Sequence, residues 1–270
     1  MGMSTKLAVN GAAGRMGRQL LAAIAERDDT SLVGAADAQG QPSIGVDASV
    51  LSGGAVTGVM VTDNLGEILT GSQVIIDFTA PGVSLGVLEA AVASKTGVVI
   101  GTTGFNPEQL QLLYGYAEQI PVMFAPNYSV GVTVTLDLLE KAARALGDDY
   151  DVEIIEAHHR HKVDAPSGTA IKMGEVVAGA LGRDLATCAV YGRQGITGER
   201  DTKTIGFETI RAGDIIGDHT VLFAGNGERI EITHKATDRM TFARGAVRAA
   251  VWLSSQRAGL YDMRNVLGLI

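Results

Sequence analysis

Short runs of β-branched and apolar residues alternate with longer helical patterns through the first half of this 270-residue chain. Such alternation is typical of βαβ units, which build a parallel sheet. A strand is predicted at residues 6–10 and a helix at about 15–26. Further strands are predicted at residues 32–36, 59–62, 74–78, 98–100 and 122–124. We therefore expect an α/β fold whose ligand-binding groups follow the carboxyl ends of the strands.

The pattern changes after Asn127, where long helices and a second set of strands begin. Helices are predicted at about residues 130–145, 167–181 and 239–253, and strands at 152–157, 203–210, 220–224 and 229–234. The turn Gly225-Asn226-Gly227 joins the last two strands and predicts an antiparallel hairpin. We expect a second, α+β domain at residues 130–238, inserted in a first domain of residues 1–129 plus 239–270.

Composition argues against several classes of protein. Hydrophobic residues make up 46% and charged residues 19% of the chain, which is not the composition of a disordered protein. A net charge of -8 gives no overall field that would attract nucleic acid or an anionic membrane. The longest charge-free stretch, residues 119–136, contains Pro121 and Pro126 and suits a buried strand and loop. The single cysteine, Cys188, is typical of a reducing compartment, and we expect a cytoplasmic protein.

A glycine-rich turn follows the first predicted strand. Gly11, Gly14 and Gly17 form the pattern G-x-x-G-x-x-G between this strand and the next helix. Glycines allow a tight turn there, and a helix N-terminus offers free N–H groups to a pyrophosphate. Asp37 lies 20 residues after Gly17, at the end of the second predicted strand, where an acid binds a ribose hydroxyl. The pattern predicts a dinucleotide site; the alternative is a tight turn without a ligand and a surface aspartate.

The residues after Asp37 bear on which dinucleotide is used. Ala38 and Gln39 carry no positive charge that would bind a 2′-phosphate, although Arg15 could meet one. We therefore predict that NADH is used at least as well as NADPH.

A basic segment follows the predicted strand at 152–157. Residues 158–162 read HHRHK, with three of the five histidines and two permanent cations. Just beyond, Ser167 or Thr169 can cap a helix whose first N–H groups are free. Cations facing a helix N-terminus predict a receptor for a small molecule with carboxylates, and histidine and lysine can transfer protons there. The alternatives are a solvated surface charge run and a transition-metal site, which Arg160 and Lys162 disfavour, so that no metal is predicted.

Three other features receive no catalytic role from the sequence. His219 and His234 are isolated on strand patterns and are interpreted as structural. The segment 192–203 is rich in charge and glycine; it either covers the site or is an ordinary surface loop.

These motifs together resemble the 4-hydroxy-tetrahydrodipicolinate reductase family, also called dihydrodipicolinate reductases, over nearly the whole chain. The segments that carry the resemblance are 11–17 (GAAGRMG), 77–79 (DFT), 101–105 (GTTGF), 125–129 (APNYS) and 156–170 (EAHHRHKVDAPSGTA). The last segment is the most specific of them.

The resemblance implies a Rossmann-like dinucleotide-binding domain and a central domain that binds substrate, closes over the first and forms a homotetramer through its sheet. It implies that His158 is the general acid or base, that Lys162 is a proton donor, and that His159 with the Gly168 and Thr169 backbone holds the substrate carboxylates. The cofactor, NADH or NADPH, would contact Gly11, Ala12, Ala13, Gly14, Arg15, Met16, Asp37, Gly101, Thr102, Thr103, Ala125, Pro126, Asn127 and Tyr128. Members that prefer NADPH place an arginine after the acid, where this chain has Ala38.

The implied reaction is the NAD(P)H-dependent reduction of a cyclic dicarboxylate, with loss of water, in lysine and diaminopimelate synthesis. Two alternatives remain at this stage. One is another NAD-dependent enzyme such as an aspartate dehydrogenase; a semialdehyde dehydrogenase would need a nucleophilic cysteine, and Cys188 has no obvious base beside it in sequence. The other is a sensor that binds the dinucleotide without turnover.

Overall fold

The computed structural model describes residues 4–270. The chain divides into two compact units. Residues up to Val130 and the segment Met240–Ile270 form the first unit, and Gly131–Arg239 form the second. Within residues 4–270, no helix is both long and apolar enough to span a bilayer.

The first unit is built on a parallel sheet, to which seven strands of the described chain belong. These strands are β1 (Thr5–Asn10), β2 (Thr30–Ala36), β3 (Val61–Thr62), β4 (Val74–Asp77), β5 (Gly97–Ile100), β6 (Pro121–Phe124) and, near the C-terminus, β12 (Gly259–Tyr261). Their order is β12-β6-β5-β4-β1-β2-β3, and every neighbouring pair is parallel. The chain reverses its direction of winding between β1 and β4, the place where doubly wound sheets bind ligands.

Helices cover both faces of this sheet, which confirms the predicted α/β fold. They are α1 (Arg15–Ala25), α2 (Ala48–Leu51), α3 (Leu65–Leu69), α4 (Pro81–Ser94), α5 (Pro107–Ala117), α9 (Met240–Leu253) and α10 (Met263–Leu267). On one face Val9 packs with Leu20 of α1 and Val247 of α9. On the other face Ile75 packs with Leu88 of α4 and Leu113 of α5. Because both faces are covered, strands such as β5 are apolar and buried throughout and show no alternation.

The second unit has a mixed five-stranded sheet. Its elements are α6 (Val130–Leu146, which begins at the boundary), β7 (Asp151–His158), α7 (Gly168–Ala180), α8 (Leu185–Cys188), β8 (Ala189–Tyr191), β9 (Ile205–Arg211), β10 (Gly217–Ala224) and β11 (Arg229–Ala236). The sheet order is β11-β10-β7-β9-β8; β7 is parallel to β9 and antiparallel to β10. The predicted hairpin of β10 and β11 is confirmed, with Ala224 paired to Arg229. One face of the sheet, including Ile154 and Phe223, packs on Leu139 of α6 and Met173 of α7.

Several predicted boundaries were wrong for local reasons. The strand predicted at 59–62 is only Val61–Thr62, because Met60 forms an antiparallel bridge with Asp47 and the Val59 carbonyl accepts the Ala48 N–H. The helix predicted from residue 167 begins at Gly168, since Ser167 is its N-cap. Strands β8 and β12 were not predicted; each has three residues, too few for a periodic pattern, and is fixed by pairing with β9 or β6.

Replacing Gly245 of α9 by alanine should destabilise the protein by about 1–3 kcal/mol through overpacking. A Cβ at this position would lie 1.8 Å from the Tyr128 carbonyl oxygen. Gly115, in α5, is the matched control because a Cβ there meets no atom within 4 Å. Gly115→Ala should instead stabilise the protein by about 0.5–1 kcal/mol, since alanine favours the helix. Urea unfolding of the two variants measures both changes, and equal stabilities would contradict the packing of α9 described above.

Candidate active site

A cluster of polar side chains lies at the end of the covered face of the second sheet. Alternate residues of β7 point to this face, which places Glu156 and His158 together beyond the apolar Val152 and Ile154. Pairing with β10 brings His219 beside Glu156. Pairing with the parallel strand β9 brings Arg211 beside His158, so that three strands supply one cluster.

The Glu156 carboxylate is the centre of this cluster and is 1% exposed. Its Oε2 accepts hydrogen bonds from His158 Nδ1 at 2.6 Å and from Arg211 Nη1 at 2.8 Å. Its Oε1 receives Arg211 Nη2 at 2.8 Å and the Ser167 backbone N–H at 3.1 Å. Burial by itself would raise the pKa of Glu156, but the hydrogen bonds and charges of Arg211 and His158 hold it below its ordinary value. The carboxylate is therefore ionised at neutral pH.

His158 is buried at the C-terminal end of β7. Burial lowers the pKa of His158, the Glu156 carboxylate raises it, and the Lys162 and Arg211 charges lower it again, with a net pKa below the ordinary value. At neutral pH the ring is uncharged, and Nδ1 carries its proton because Glu156 can only accept. The lone pair is then on Nε2, the nitrogen suited to exchange a proton with a ligand.

His219 belongs to the same cluster, although the sequence pattern shows it alone on its strand. Its ring lies 5.0 Å from the His158 ring in an edge-to-face arrangement. Its Nε2 lies 2.7 Å from the Ser167 hydroxyl, and the same hydroxyl oxygen accepts the Ala170 N–H at the start of α7. Burial, above all, lowers the pKa of His219 to about 4, so it is neutral at physiological pH. Sequence could not place it here, because the pairing of β10 with β7 has no local signal.

The loop from His159 to Ser167 connects the cluster to α7. Lys162 donates to both carboxylate oxygens of Asp164 at 2.8 Å, and Arg211 Nη2 donates to the Asp164 carbonyl at 2.6 Å. His159 Nε2 lies 3.3 Å from Nη2 of Arg239. Within residues 4–270, no group of three or more His, Cys, Asp and Glu side chains is arranged to hold a metal ion.

The N-terminus of α7 supplies backbone donors next to this loop. Ser167 caps the helix, and Gly168 and Thr169 occupy its first two positions, where N–H groups have no carbonyl partner within a helix. Gly168 is exposed and Thr169 half-buried. The structure thus brings His158, His159, Lys162, Gly168 and Thr169 into one region of the second unit, as an anion receptor requires.

The segment 192–203 is held by ion pairs to the beginning of β7. Arg193 and Arg200 both donate to the Glu153 carboxylate at 2.8–3.0 Å, and Arg200 also pairs with Asp151 at 2.6 Å. These anchors lie at the end of the strand opposite to His158.

In the first unit, the glycine turn has the close approaches that its pattern predicts. Gly11 has φ +72°, and a Cβ there would lie 2.8 Å from the Thr79 methyl carbon. A Cβ on Gly17 would lie 2.1 Å from the Gly11 carbonyl oxygen, so that only glycine lets α1 pack on the turn. Within the described chain, Gly14 gives α1 no side-chain cap, which leaves the first N–H groups of the helix, on Arg15 and Met16, for a ligand.

Asp37 lies beside this turn, immediately after β2. Its Oδ2 accepts the Ala13 N–H at 3.0 Å and the Ser43 hydroxyl at 3.3 Å, and its Oδ1 accepts the Ala38 N–H at 2.8 Å. A carboxylate has about four acceptor positions, so one remains for a ribose hydroxyl. Asp37 therefore also fixes the shape of the turn, a contact that the sequence did not predict.

A second buried carboxyl group, Asp77 at the end of β4, connects the carboxyl ends of three strands. Its Oδ1 accepts Asn10 Nδ2 of β1 at 2.6 Å and the Thr79 hydroxyl at 2.9 Å. Its Oδ2 accepts the hydroxyls of Ser84 and of Thr102, the latter at 3.2 Å. This network holds the turns next to the winding reversal between β1 and β4.

The remaining predicted cofactor residues follow β5 and β6. Gly101 packs against Phe78, whose ring would lie 1.9 Å from an added Cβ, and Thr103 is exposed. Ala12 and Ala125 are buried, Pro126 is exposed, and Asn127 Oδ1 accepts the Ser129 N–H. Tyr128 is 1% exposed and its hydroxyl donates to the Ile100 carbonyl at 2.7 Å, so its side chain belongs to the core.

Sequence reasoning gave no role to Glu156, Arg211, Asp77 or Asn10. The alternation along β7 could have placed Glu156 beside His158, since the two are separated by one residue. Arg211 lies 55 residues from Glu156, and only the pairing of β9 with β7 brings them together.

Comparison with known proteins matches both units. The model of "Dihydrodipicolinate reductase, N-terminus" matches residues 5–128, and that of "Dihydrodipicolinate reductase, C-terminus" matches residues 131–267. The chain belongs to the dihydrodipicolinate reductase family. Members of this family are oxidoreductases, and the resemblance inferred from the motifs is confirmed.

Individual dihydrodipicolinate reductases are similar to this chain over nearly its full length. The 4-hydroxy-tetrahydrodipicolinate reductase of Alkalilimnicola ehrlichii is 60% identical over 99% of this chain and 100% of its own length. That of Thiobacillus denitrificans is 57% identical over the same shares of the two chains. A solved structure of the dipicolinate-bound dihydrodipicolinate reductase from Paenisporosarcina sp. TG-14 has a TM-score of 0.78 and 26% identity, covering 96% of this chain and 98% of that one.

Replacing Asp77 by alanine should destabilise the protein by about 2–4 kcal/mol, because Asn10 Nδ2 and buried hydroxyls lose their acceptor. Asp77→Asn should cost clearly less, since the amide oxygen still accepts from Asn10 and the hydroxyls can rotate to accept from the amide nitrogen. Thermal unfolding of both variants measures the difference. Equal losses would mean that the negative charge, and not the hydrogen-bond network, is what holds these turns.

Proposed function

We propose that this chain reduces 4-hydroxy-tetrahydrodipicolinate to tetrahydrodipicolinate, with release of water, in lysine and diaminopimelate biosynthesis. NADH or NADPH is the reductant. The observation that carries the proposal is the His158 cluster beside the N-terminus of α7, in a chain 57–60% identical to enzymes of that name. This agreement favours the reductase over the aspartate dehydrogenase and the sensor that the sequence left open.

The substrate is a cyclic dicarboxylate, and the second unit offers groups for both charges. The Gly168 and Thr169 N–H groups at the start of α7 suit one carboxylate, and His159 suits the other. The relative from Paenisporosarcina was solved with dipicolinate, itself a cyclic dicarboxylate, which supports this class of ligand.

The first unit fits a dinucleotide. The uncapped start of α1 suits the pyrophosphate, and Asp37 suits a ribose hydroxyl. Residues after β5 and β6, including Gly101–Thr103 and Ala125–Asn127, are proposed to line the rest of the site, with Tyr128 contributing its backbone. When bound, the nicotinamide supplies the hydride.

The incoming electrons must be matched by a proton, which the second unit can provide. His158 is proposed to exchange this proton through Nε2, as general acid or base. Lys162 is proposed as a further proton donor, held in place by Asp164 until the substrate carboxylate competes for its charge. His158 ends β7 and Lys162 lies in the loop that precedes α7, next to the proposed carboxylate receptor.

The proposal includes a homotetramer formed through the second sheet, and a cytoplasmic location in keeping with the use of reduced nicotinamide. Support for the assembly comes from the sheet face that α6 and α7 do not cover. By strand alternation it carries the apolar side chains of Ile155, Leu222 and Ile210, the last 47% exposed. Light scattering measures the mass directly.

The direct test couples the purified protein to a synthase that makes 4-hydroxy-tetrahydrodipicolinate from pyruvate and aspartate semialdehyde. Oxidation of NADH and of NADPH is followed in parallel, with aspartate and NAD offered separately. Oxidation that depends on the synthase supports the reductase. Turnover of aspartate, or cofactor binding without turnover, would replace it by the dehydrogenase or the sensor.

His158→Gln should lower kcat by about 100- to 10,000-fold, because a positioned proton-transfer group is lost. The dissociation constant for NADH should stay within about twofold, since the dinucleotide groups belong to the first unit. His234→Gln, on β11, is the control and should keep its kcat. A His158→Gln enzyme with normal kcat would refute the proposed role.

Asp37→Ala should raise KM for NADH about tenfold, through loss of an acceptor for the ribose hydroxyl. KM for NADPH should change less or fall, because a carboxylate that repels the 2′-phosphate is removed. Arg15→Ala is the complementary variant and should weaken the binding of NADPH more than the binding of NADH. Equal losses for both cofactors in Asp37→Ala would mean that Asp37 acts only by holding the Ala13 N–H.

A further inference from the structure

We infer that Glu156, fixed by Arg211, is a positioning residue that sets the tautomer of His158 and keeps its Nε2 as the proton-exchanging nitrogen. The inference deepens the proposed function, since it rests on His158 exchanging a proton with the substrate. Neither Glu156 nor Arg211 needs to touch the substrate for this role.

The donors around Glu156 leave one assignment of protons. Arg211 and the Ser167 backbone can only donate, and they reach both carboxylate oxygens. Oε2 therefore accepts from Arg211 and, at 2.6 Å, from His158 Nδ1. Nδ1 must carry a proton, and the neutral ring has its lone pair on Nε2.

The other neighbours of the His158 ring do not compete for Nε2. His219 Nε2 lies 2.7 Å from the Ser167 hydroxyl and is hydrogen-bonded to it, so this nitrogen is engaged away from His158. Gly217, at the start of β10, leaves space at the nitrogen, since an added Cβ would lie 3.0 Å from His158 Nε2. The orientation of the His158 ring, its tautomer and the space beside it therefore all indicate Nε2 as the nitrogen that exchanges a proton.

The charges that face His158 come from each neighbouring element. Glu156 is on the same strand, Arg211 on β9 and Lys162 in the following loop, while the neutral His219 is on β10 with His234 of β11 behind it. Among these, the Glu156 carboxylate is the group that stabilises a protonated His158. Its removal lowers the pKa of His158 further, so any activity limb that reports His158 must move to lower pH.

Glu156→Gln is the decisive variant. A carboxylate accepts hydrogen bonds through both oxygens, whereas the amide accepts only through its oxygen and donates through its nitrogen. If the amide nitrogen replaces Oε1, it faces two N–H donors, on Ser167 and Arg211 Nη2, and its only acceptor is the Thr209 hydroxyl at the long distance of 3.4 Å. If it replaces Oε2, it faces Arg211 Nη1 and His158, and the imidazole can accept by changing tautomer. The second orientation costs less, and it transfers the His158 proton to Nε2.

The expected result is a kcat lowered at least 100-fold with KM changed less than about threefold, by analogy with the wrong-tautomer effect in catalytic triads. The kcat/KM limb that disappears in His158→Gln should move to lower pH by about one unit or more in Glu156→Gln. Glu153→Gln is the matched control, because Glu153 also lies on β7 and is paired with arginine side chains, those of Arg193 and Arg200, but does not contact His158. This control should keep the pH profile of the unchanged enzyme, and Glu156→Asp should recover part of the activity.

Nitrogen-15 NMR of histidine-labelled protein provides a readout that does not depend on activity. The chain has five histidines, and His158→Gln identifies the signal of His158. The unchanged protein should show the proton on Nδ1, and Glu156→Gln should show it on Nε2. A proton on Nε2 in the unchanged protein overturns the inference even if no Glu156 variant folds, and so does a Glu156→Gln enzyme with the original tautomer and pH limb. If the limb instead persists in His158→Gln, the proposed role of His158 fails while the tautomer measurement still tests Glu156.

Discussion

The buried carboxylate of Glu156 joins three elements of the second unit. An ionised carboxylate without partners in a protein interior would cost several kcal/mol, and it is stable here because Arg211, Ser167 and His158 donate to it. These donors come from β9, from the N-cap of α7 and from β7 itself. The electrostatic requirement of one side chain thus sets the position of His158, the start of α7 and the loop between them.

The first unit uses a buried carboxyl group in a similar position for a different purpose. Asp77 ends β4, just as Glu156 lies near the end of β7, and it binds side chains from the ends of β1 and β5. In the described part of the chain its hydrogen-bond donors are the Asn10 amide and three hydroxyls, all of them uncharged. It therefore suits a rigid frame for a ligand-binding edge, whereas Glu156, with its arginine and histidine, suits control of a proton.

Sequence was sufficient where the signal is local. The glycine turn, the Ser167 cap and the hairpin at Gly225–Gly227 each depend on a few consecutive residues, and the structure has all three features. The motifs around His158 and Lys162 also identified the family. Sequence was insufficient where residues meet only through strand pairing. The register of β9 brings Arg211 to this cluster, and the register of β10 brings His219 to it. The sequence predicts a cofactor-binding role for Asp37, but its hydrogen bond from the Ala13 N–H depends on the exact shape of the turn and has no local signal.

The proposed proton exchange through His158 Nε2 depends on where the protons of the Glu156–His158 pair lie, and neutron diffraction from deuterium-exchanged crystals at neutral pH observes them directly. We expect deuterium on His158 Nδ1, none on Nε2, and none on either carboxylate oxygen of Glu156. Deuterium on Nε2 would contradict the proposed role of His158, because this nitrogen would then have no free lone pair to exchange a proton with the substrate. Deuterium on Glu156 would contradict it as well, because the group that orients His158 would then carry no charge.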